Sequence, residues 1–118
     1  MQAKEILAME PGREMDALVA EKVMGYTTHG QFRDKDGVRV MIDRYSTDIS
    51  AAWEVVDKMS KTHFSEMAMT ELEDGAWGWM ARFILVLNEP YTVNGYRATA
   101  KTAPEAICKA ALLAVMDE

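Results

Sequence analysis

Apolar residues recur at helical spacing in the first part of the chain. Residues 2–9 predict a short helix that ends at Pro11 and Gly12, because proline and glycine both interrupt helical backbone. A second helix is predicted directly after this break and ends near Gly25. Its apolar residues form one stripe: Met15, Leu18, Val19 and Val23. Further along, Asp36-Gly37 predicts either a short hairpin or a long ordered loop.

The stretch RYSTDISAAWEVVDKM places a polar triplet, Ser46-Thr47-Asp48, in front of an apolar run. If Ser46 or Thr47 caps a helix, its hydroxyl accepts a hydrogen bond from a backbone N–H of the first turn, and Asp48 faces the positive end of the helix. The same side chains also suit a ligand-binding turn, so the triplet has two interpretations. The predicted helix carries one apolar face: Ile49, Ala52, Trp53, Val56 and Met59.

The stretch TAPEAICKAALLAVMDE predicts the last helix. Thr102 and Glu105 have the spacing of a capping box, and Pro104 suits the first turn. Lys109 is the one charged residue between positions 106 and 116. We therefore expect a helix that is almost wholly buried, with Glu105 and Lys109 close enough to pair.

Three strand-like stretches lie between these two helices: HFSEMAMTEL, AWGWMARFILVL and a part of YTVNGYRATA. Turn signals at Asp74-Gly75 and from Asn88 to Pro90 predict an antiparallel meander. Asn94-Gly95 is a competing turn, which would lengthen the second strand and leave only residues 96–100 for the third.

The middle strand of this meander is largely apolar on both faces. Such a strand needs cover on both sides. We expect the helices that begin near Thr47 and Thr102 on one face, and the N-terminal helix or a partner subunit on the other. The sequence thus predicts a single domain over residues 1–118, with an α+β fold in which three layers, α/β/α, form a sandwich around a small antiparallel sheet. Arg82 interrupts the second face and requires a carboxylate, a carbonyl or an anionic ligand as partner.

The composition is that of one folded domain, with 118 residues, of which 49% are hydrophobic and 27% charged. The net charge of -6 opposes attraction to nucleic acid or anionic lipid. The N-terminus lacks an apolar leader, and no segment approaches about 20 uncharged apolar residues, so we expect a cytoplasmic protein that does not enter a membrane. Cys108 is the only cysteine and lies in an apolar run, which predicts a buried side chain and not a reactive thiol.

The order helix, three strands, helix resembles that of the double-stranded RNA-binding domain. That domain contacts RNA phosphates with a lysine-rich start to its last helix. Here the matching place, AKTAPEAICK, carries Lys101 and Lys109 with Glu105 between them. The electrostatics therefore disfavour RNA binding.

A better match is to the phage ABA sandwich domain family of small proteins from phages and prophages of Gram-positive bacteria. The chain resembles this family in three blocks, ILAMEPGREMDALVAEKVMG, YSTDISAAWEVVDKM and TAPEAICKAALLAV, with a Trp-containing strand pair between the last two. The resemblance implies the fold and a phage origin. It implies no chemistry, because its polar positions are those already assigned to helix capping: Ser46, Thr47, Asp48, Thr102 and Glu105.

The sequence carries no catalytic or metal-binding pattern. His29 and His63 are the only histidines, and neither has a cysteine or carboxylate at metal-ligand spacing. The stretch RDKDG matches only a fragment of a calcium loop, and there is no phosphate loop or nucleophile elbow. We therefore expect no metal, no cofactor and no enzymatic activity.

Two binding functions fit the sequence. The first is an accessory protein that binds a host or phage protein through exposed apolar surface, for which ten methionines offer adaptable contacts or, alternatively, core filler. The second is a binder of a small anionic ligand such as a nucleotide immune signal, which would make it an anti-defence protein. The candidate ligand-binding residues are Arg82, Arg97, Trp77, Tyr91, Tyr96, Ser46, Thr47 and Asp48.

Self-association is expected as well, with a dimer favoured. Tryptophan and methionine residues exceed what one small core readily absorbs, and a symmetric interface would bury the excess. Such a dimer would also bring Arg82 or Arg97 of two subunits near a shared anionic ligand.

Overall fold

The computed structural model of the chain describes residues 1–86 and 93–116. Within these ranges, helices and strands follow one another in an α+β order, and the predicted fold class is confirmed. The elements are α1 (Ala3–Ala8), α2 (Arg13–Lys22), β1 (Thr28–His29), β2 (Phe32–Lys35), β3 (Val38–Met41), α3 (Ile49–Met59), β4 (Phe64–Glu71), β5 (Trp77–Val86), β6 (Val93–Ala100) and α4 (Ala103–Met116). None of the helices in the described ranges has the length and apolar character needed to cross a membrane.

The strands form two antiparallel sheets of three strands, in the orders β1-β2-β3 and β4-β5-β6. In the first sheet, β2 and β3 are joined by Asp36 and Gly37, which have φ values of 51° and 83°. Positive φ at both central residues is the geometry of a two-residue hairpin turn that follows the twist of the strands. Of the two alternatives predicted for this segment, the short hairpin is therefore correct.

The second sheet is the predicted meander, with β5 in the middle. Asp74 and Gly75 lie in the turn between β4 and β5, as expected. Asn94 and Gly95 pair with Leu85 and Ile84 inside the β5–β6 ladder, so the competing turn at Asn94-Gly95 is wrong. The other predicted turn, from Asn88 to Pro90, lies outside the described residues.

Helix α4 lies at the centre of the molecule. It packs against β5 and β6 on one side and against α1, α2 and α3 on others. These neighbours leave Ile107, Cys108 and Leu112 almost without exposed surface. The sequence prediction of an almost wholly buried helix is therefore confirmed, and burial raises the pKa of the Cys108 thiol so that it stays protonated at neutral pH.

The faces of β5 divide as the alternation predicts. Ala81 and Phe83 point toward α4 and are fully buried, together with Ala98 of β6. The N-terminal helices do not cover the opposite face, as one form of the prediction required, because α1 and α2 pack against α4. The physical reason is that α4 is apolar all round and needs cover on its side away from the sheet. Cover of the second sheet face by a partner subunit stays a prediction.

Helix α3 shows a similar division along its apolar stripe. Ala52, Val56 and Met59 are buried, but Ile49 and Trp53 are 51% and 55% exposed. Ile49 and Trp53 therefore lie at the exposed edge of the stripe, whereas its other residues belong to the core.

Gly78 provides a test of the β5 packing. A Cβ at this position would lie 2.6 Å from the carbonyl oxygen of Ala100 and 2.7 Å from the side chain of Leu72. We expect Gly78→Ala to lower the free energy of unfolding by about 1–3 kcal/mol, because a backbone oxygen cannot move aside without disturbing the sheet. Chemical denaturation measures this difference.

Gly95→Ala is the matched control, since Gly95 is also a strand glycine of the same sheet. A Cβ there meets only the Cδ of Arg82, at an ordinary contact distance of 3.8 Å. We expect unchanged or slightly higher stability, because alanine restricts the unfolded chain more than glycine does. Equal losses in the free energy of unfolding for both variants would show that the close contacts of a Cβ at position 78 are not the cause of the loss.

Candidate binding surface

Ser46 has a structural role that the sequence did not indicate. Its backbone N–H and its hydroxyl both donate to Oδ1 of Asp16, at 2.8 and 2.6 Å. The Ser46 hydroxyl oxygen also accepts a hydrogen bond from the N–H of Gly12, at 2.9 Å. Ser46 is fully buried and Asp16 is 4% exposed. The interaction ties the start of α2 to the segment before α3, and Ser46 is not available to a ligand.

Asp48, and not Ser46 or Thr47, caps α3. The Asp48 carboxylate accepts a hydrogen bond from the N–H of Ser50 at 2.9 Å, and its own backbone is extended. The predicted cap was wrong because the Ser46 hydroxyl is held by Asp16, while the chain turns once from Arg44 to Asp48 before the helix starts. Thr47 and Asp48 are exposed. Within the triplet, Ser46 connects α2 to the segment before α3, and Asp48 caps α3. Ser46 is therefore no longer a candidate for ligand binding.

Ser46→Ala tests the role of the buried hydrogen bonds that Ser46 makes with Asp16 and Gly12. The substitution leaves the N–H of Gly12 without its acceptor and removes one donor to the buried Asp16 carboxylate. We expect a loss of about 1–3 kcal/mol in the free energy of unfolding. Thr47→Ala is the neighbouring control and should change stability by less than about 0.5 kcal/mol, because the Thr47 side chain is exposed. Similar losses at both positions would contradict the assignment.

Arg82 and Arg97 are brought together on the open face of the second sheet. They are directly opposite each other across β5 and β6, and Glu66 is opposite Arg82 on the other side. Nη2 of Arg82 lies 3.0 and 2.9 Å from the two carboxylate oxygens of Glu66. Arg82 thus has the carboxylate partner that the sequence led us to expect. Glu66 already pairs with the Arg82 guanidinium, and this face of the sheet is open to solvent. Both observations weaken the hypothesis that Arg82 binds an anionic ligand.

The aromatic candidates do not join this arginine pair. Trp77 lies on the other face of β5 and is 69% exposed. Tyr96 also points to that face, is half-buried and makes an edge-to-face contact with His63 at 6.3 Å between ring centroids. Tyr91 lies outside the described residues. Among the described candidates, the stacking side chains and the arginines therefore do not form one nucleotide site.

A different surface emerges beside α3 and α4. A groove of about 470 Å³ lies between the first turns of these two helices and the strands β4 and β5. We call it the tryptophan groove. Its lining is apolar apart from one lysine and one threonine: Ile49, Trp53, Met67, Trp79, Lys101, Thr102, Ala103, Pro104 and Ile107.

The apolar surface of the tryptophan groove continues along the sheet. Met69 pairs with Trp79, and Trp77 is the next residue of β5 on the same face. Met69 is 60% exposed and Trp77 is 69% exposed. All three tryptophans of the chain therefore line the groove or border its extension. The sequence signalled this surface only as an excess of tryptophan and methionine, because the stripe that contains Trp53 is indistinguishable from a core face.

Thr102 forms part of this groove and also caps α4. Its hydroxyl accepts a hydrogen bond from the N–H of Glu105 at 3.4 Å, which is one half of the predicted capping box. The Glu105 carboxylate instead accepts from Nζ of Lys109, at 2.7 Å, inside the protein. The predicted Glu105–Lys109 pair is confirmed, and it keeps the Glu105 carboxylate away from the start of the helix.

The described residues carry no group of three metal-ligating side chains. In the part of the chain that the structure describes, the fold is an α+β sandwich with an open apolar groove. Residues 17–112 match the model of the phage ABA sandwich domain, and the chain belongs to this family. The predicted family is confirmed, and the match begins within the first of the three sequence blocks.

The chain is also similar to a phage protein from Bacillus cereus ATCC 14579 whose crystal structure is known at 2.0 Å. The two share 34% sequence identity over 94% of this chain and 92% of that one, with a TM-score of 0.69. No curated protein matches the chain. The names of the family and of this relative state a phage origin and no activity.

Proposed function

We propose that the protein is a non-catalytic phage accessory protein that acts by binding a host or phage protein through the tryptophan groove. The observation that carries this proposal is the exposure of Trp53 and Trp77 beside a preformed apolar groove. Large apolar side chains that lie together at a surface mark sites of interaction. Tryptophan is also among the residues that contribute most to protein–protein binding energy.

The shape of the groove favours a protein segment over an enclosed small molecule. Its volume of about 470 Å³ is within the range of small-molecule sites, so the distinction rests on its open form and not on its size. Its walls continue onto open surface at Met69 and Trp77, where a partner chain finds further apolar contact. Met67 and Met69 supply flexible, polarizable side chains that adapt to a partner's shape. These features suit an extended contact better than a pocket that closes around its ligand.

The nucleotide-binding alternative has less support among the described residues. It requires free arginines near stacking aromatic rings, whereas Arg82 is engaged by Glu66 and the described aromatic candidates face the other side of the sheet. We therefore place the functional contact on the helix-covered face of the sheet.

The test compares two variants on opposite sides of the second sheet. Trp53→Ala removes a groove wall, and Phe64→Ala removes a 68%-exposed side chain from the open face. Each tagged variant and the wild-type protein capture partners from phage-infected host cells, and each captured protein is then purified and titrated against all three. We expect Trp53→Ala to weaken binding at least about 10-fold, and Phe64→Ala to bind as wild type.

Melting curves must accompany these titrations, since a loss of fold would imitate a loss of binding. We expect little change for Trp53→Ala, because its side chain is more than half exposed. A purified partner that binds Trp53→Ala as tightly as wild type would show that the groove is not the contact surface. Chemical alteration of nucleotides incubated with the wild-type protein would refute the non-catalytic part of the proposal.

Self-association is tested separately by light scattering. The sequence favours a dimer, and both the tryptophan groove and the open sheet face have exposed apolar side chains. A dimer that is lost in Trp53→Ala would make a second copy the occupant of the groove, which contradicts the proposed partner. A dimer lost only in Phe64→Ala places self-association on the open face and leaves the groove free.

A further inference from the structure

The lining of the tryptophan groove contains a single charged side chain, Lys101. Lys101 is exposed and stands immediately before Thr102, at the end of the groove formed by the start of α4. Its sign is opposite to that of the whole protein, which has a net charge of -6. The groove therefore combines an apolar floor with one positive charge at its edge.

No carboxylate of the described residues lies within 4.0 Å of the Lys101 ammonium group. The ion pairs found in the described ranges join other groups, and none includes Lys101. Lys101 also borders a wider depression that includes Glu73, Asp74 and Glu105, but none of these approaches it within 4.0 Å. Glu105, the nearest acid in the sequence, is bound by Lys109 at 2.7 Å. A partner that enters the groove thus meets an ammonium group that makes no direct ion pair with a described carboxylate.

We propose that the tryptophan groove accepts a protein segment in which a large apolar side chain lies next to a carboxylate. This inference rests on the proposed function and specifies the chemistry of the partner. The apolar side chain packs against Trp53 and Trp79, and the carboxylate pairs with Nζ of Lys101 at the rim. The apolar floor of the groove favours a large hydrophobic side chain in the partner segment. Lys101 favours a negative charge beside that side chain and so fixes the direction in which the segment enters.

The carboxylate has two sources with the same chemistry. It is either the side chain of an aspartate or glutamate beside the apolar residue, or the C-terminal carboxylate of a partner whose last residue is apolar. A display library with free C-termini and one with internal random segments separate these sources, because only the first presents a terminal carboxylate.

Both libraries are selected against four forms of the protein: wild type, Lys101→Glu, Trp53→Ala and Lys61→Glu. Lys61 is an exposed lysine after α3 that does not line the groove, so its reversal controls for the change in net charge. For wild type and Lys61→Glu we expect segments with an aromatic or large aliphatic residue next to Asp, Glu or the C-terminus. For Lys101→Glu we expect Lys or Arg in the same place.

Calorimetric titration of one selected peptide then measures the contribution of Lys101. Replacement of its acidic residue by the matching amide should weaken binding to wild type about 5-fold, as for a solvent-exposed ion pair. Lys101→Met should show the same affinity for both peptides. The charge-dependent part should also fall as salt is raised, because rim charges are screened.

The outcomes separate this inference from the proposed function. Selected peptides that need Trp53 but show no acidic preference, or whose preference survives Lys101→Glu, overturn the inference and leave the groove as the contact surface. Peptides that bind Trp53→Ala as well as wild type overturn both. An acidic preference that disappears equally in Lys61→Glu would show that net charge, and not Lys101, is responsible.

Discussion

The burial of α4 is the constraint on which the rest of the structure depends. A helix with apolar residues all round is stable in water only if other elements cover it on several sides. The sheet covers one side through Ala81, Phe83 and Ala98, while Ile6 of α1 and the buried face of α2 belong to the same core. The N-terminal helices are therefore required at α4. They are consequently unavailable to the open face of the sheet, which remains exposed in this chain.

A second constraint connects the helices that cover α4 to the rest of the fold. The buried Asp16 carboxylate accepts two hydrogen bonds from Ser46, and this pair fixes the start of α2 against the segment before α3. Both α2 and α3 pack on α4, so these hydrogen bonds link α2 to the segment that leads into the second covering helix. Ile49 and Trp53 of α3 remain exposed beside Met67 and Trp79 of the sheet. The tryptophan groove thus lies between α3, the start of α4 and the sheet, directly next to the buried core.

Periodicity was sufficient for the parts of the fold that depend on local pattern. The apolar run after Thr102 predicted a buried helix, and alternation along β5 predicted which side chains share a face. Periodicity was insufficient where contacts between residues distant in the sequence determine the structure. Ser46 has the residue type and position of a cap, but Asp16, thirty positions earlier, holds its hydroxyl. Nothing in the local sequence identifies that partner. Trp53 likewise belongs to the apolar stripe predicted for α3, yet its side chain is 55% exposed.

The exposure of the groove side chains also means that the residues that determine stability differ from those that form the surface of the groove. Substitutions at exposed positions change stability little, whereas substitutions in a close-packed core commonly cost several kcal/mol. Ile49, Trp53, Met69 and Trp77 are each more than half exposed, so new side chains there alter the surface without threatening the fold. The α4 core can consequently stay fixed while the groove changes. Sequence change at these positions therefore reshapes the exposed surface one residue at a time while the packing around α4 is retained.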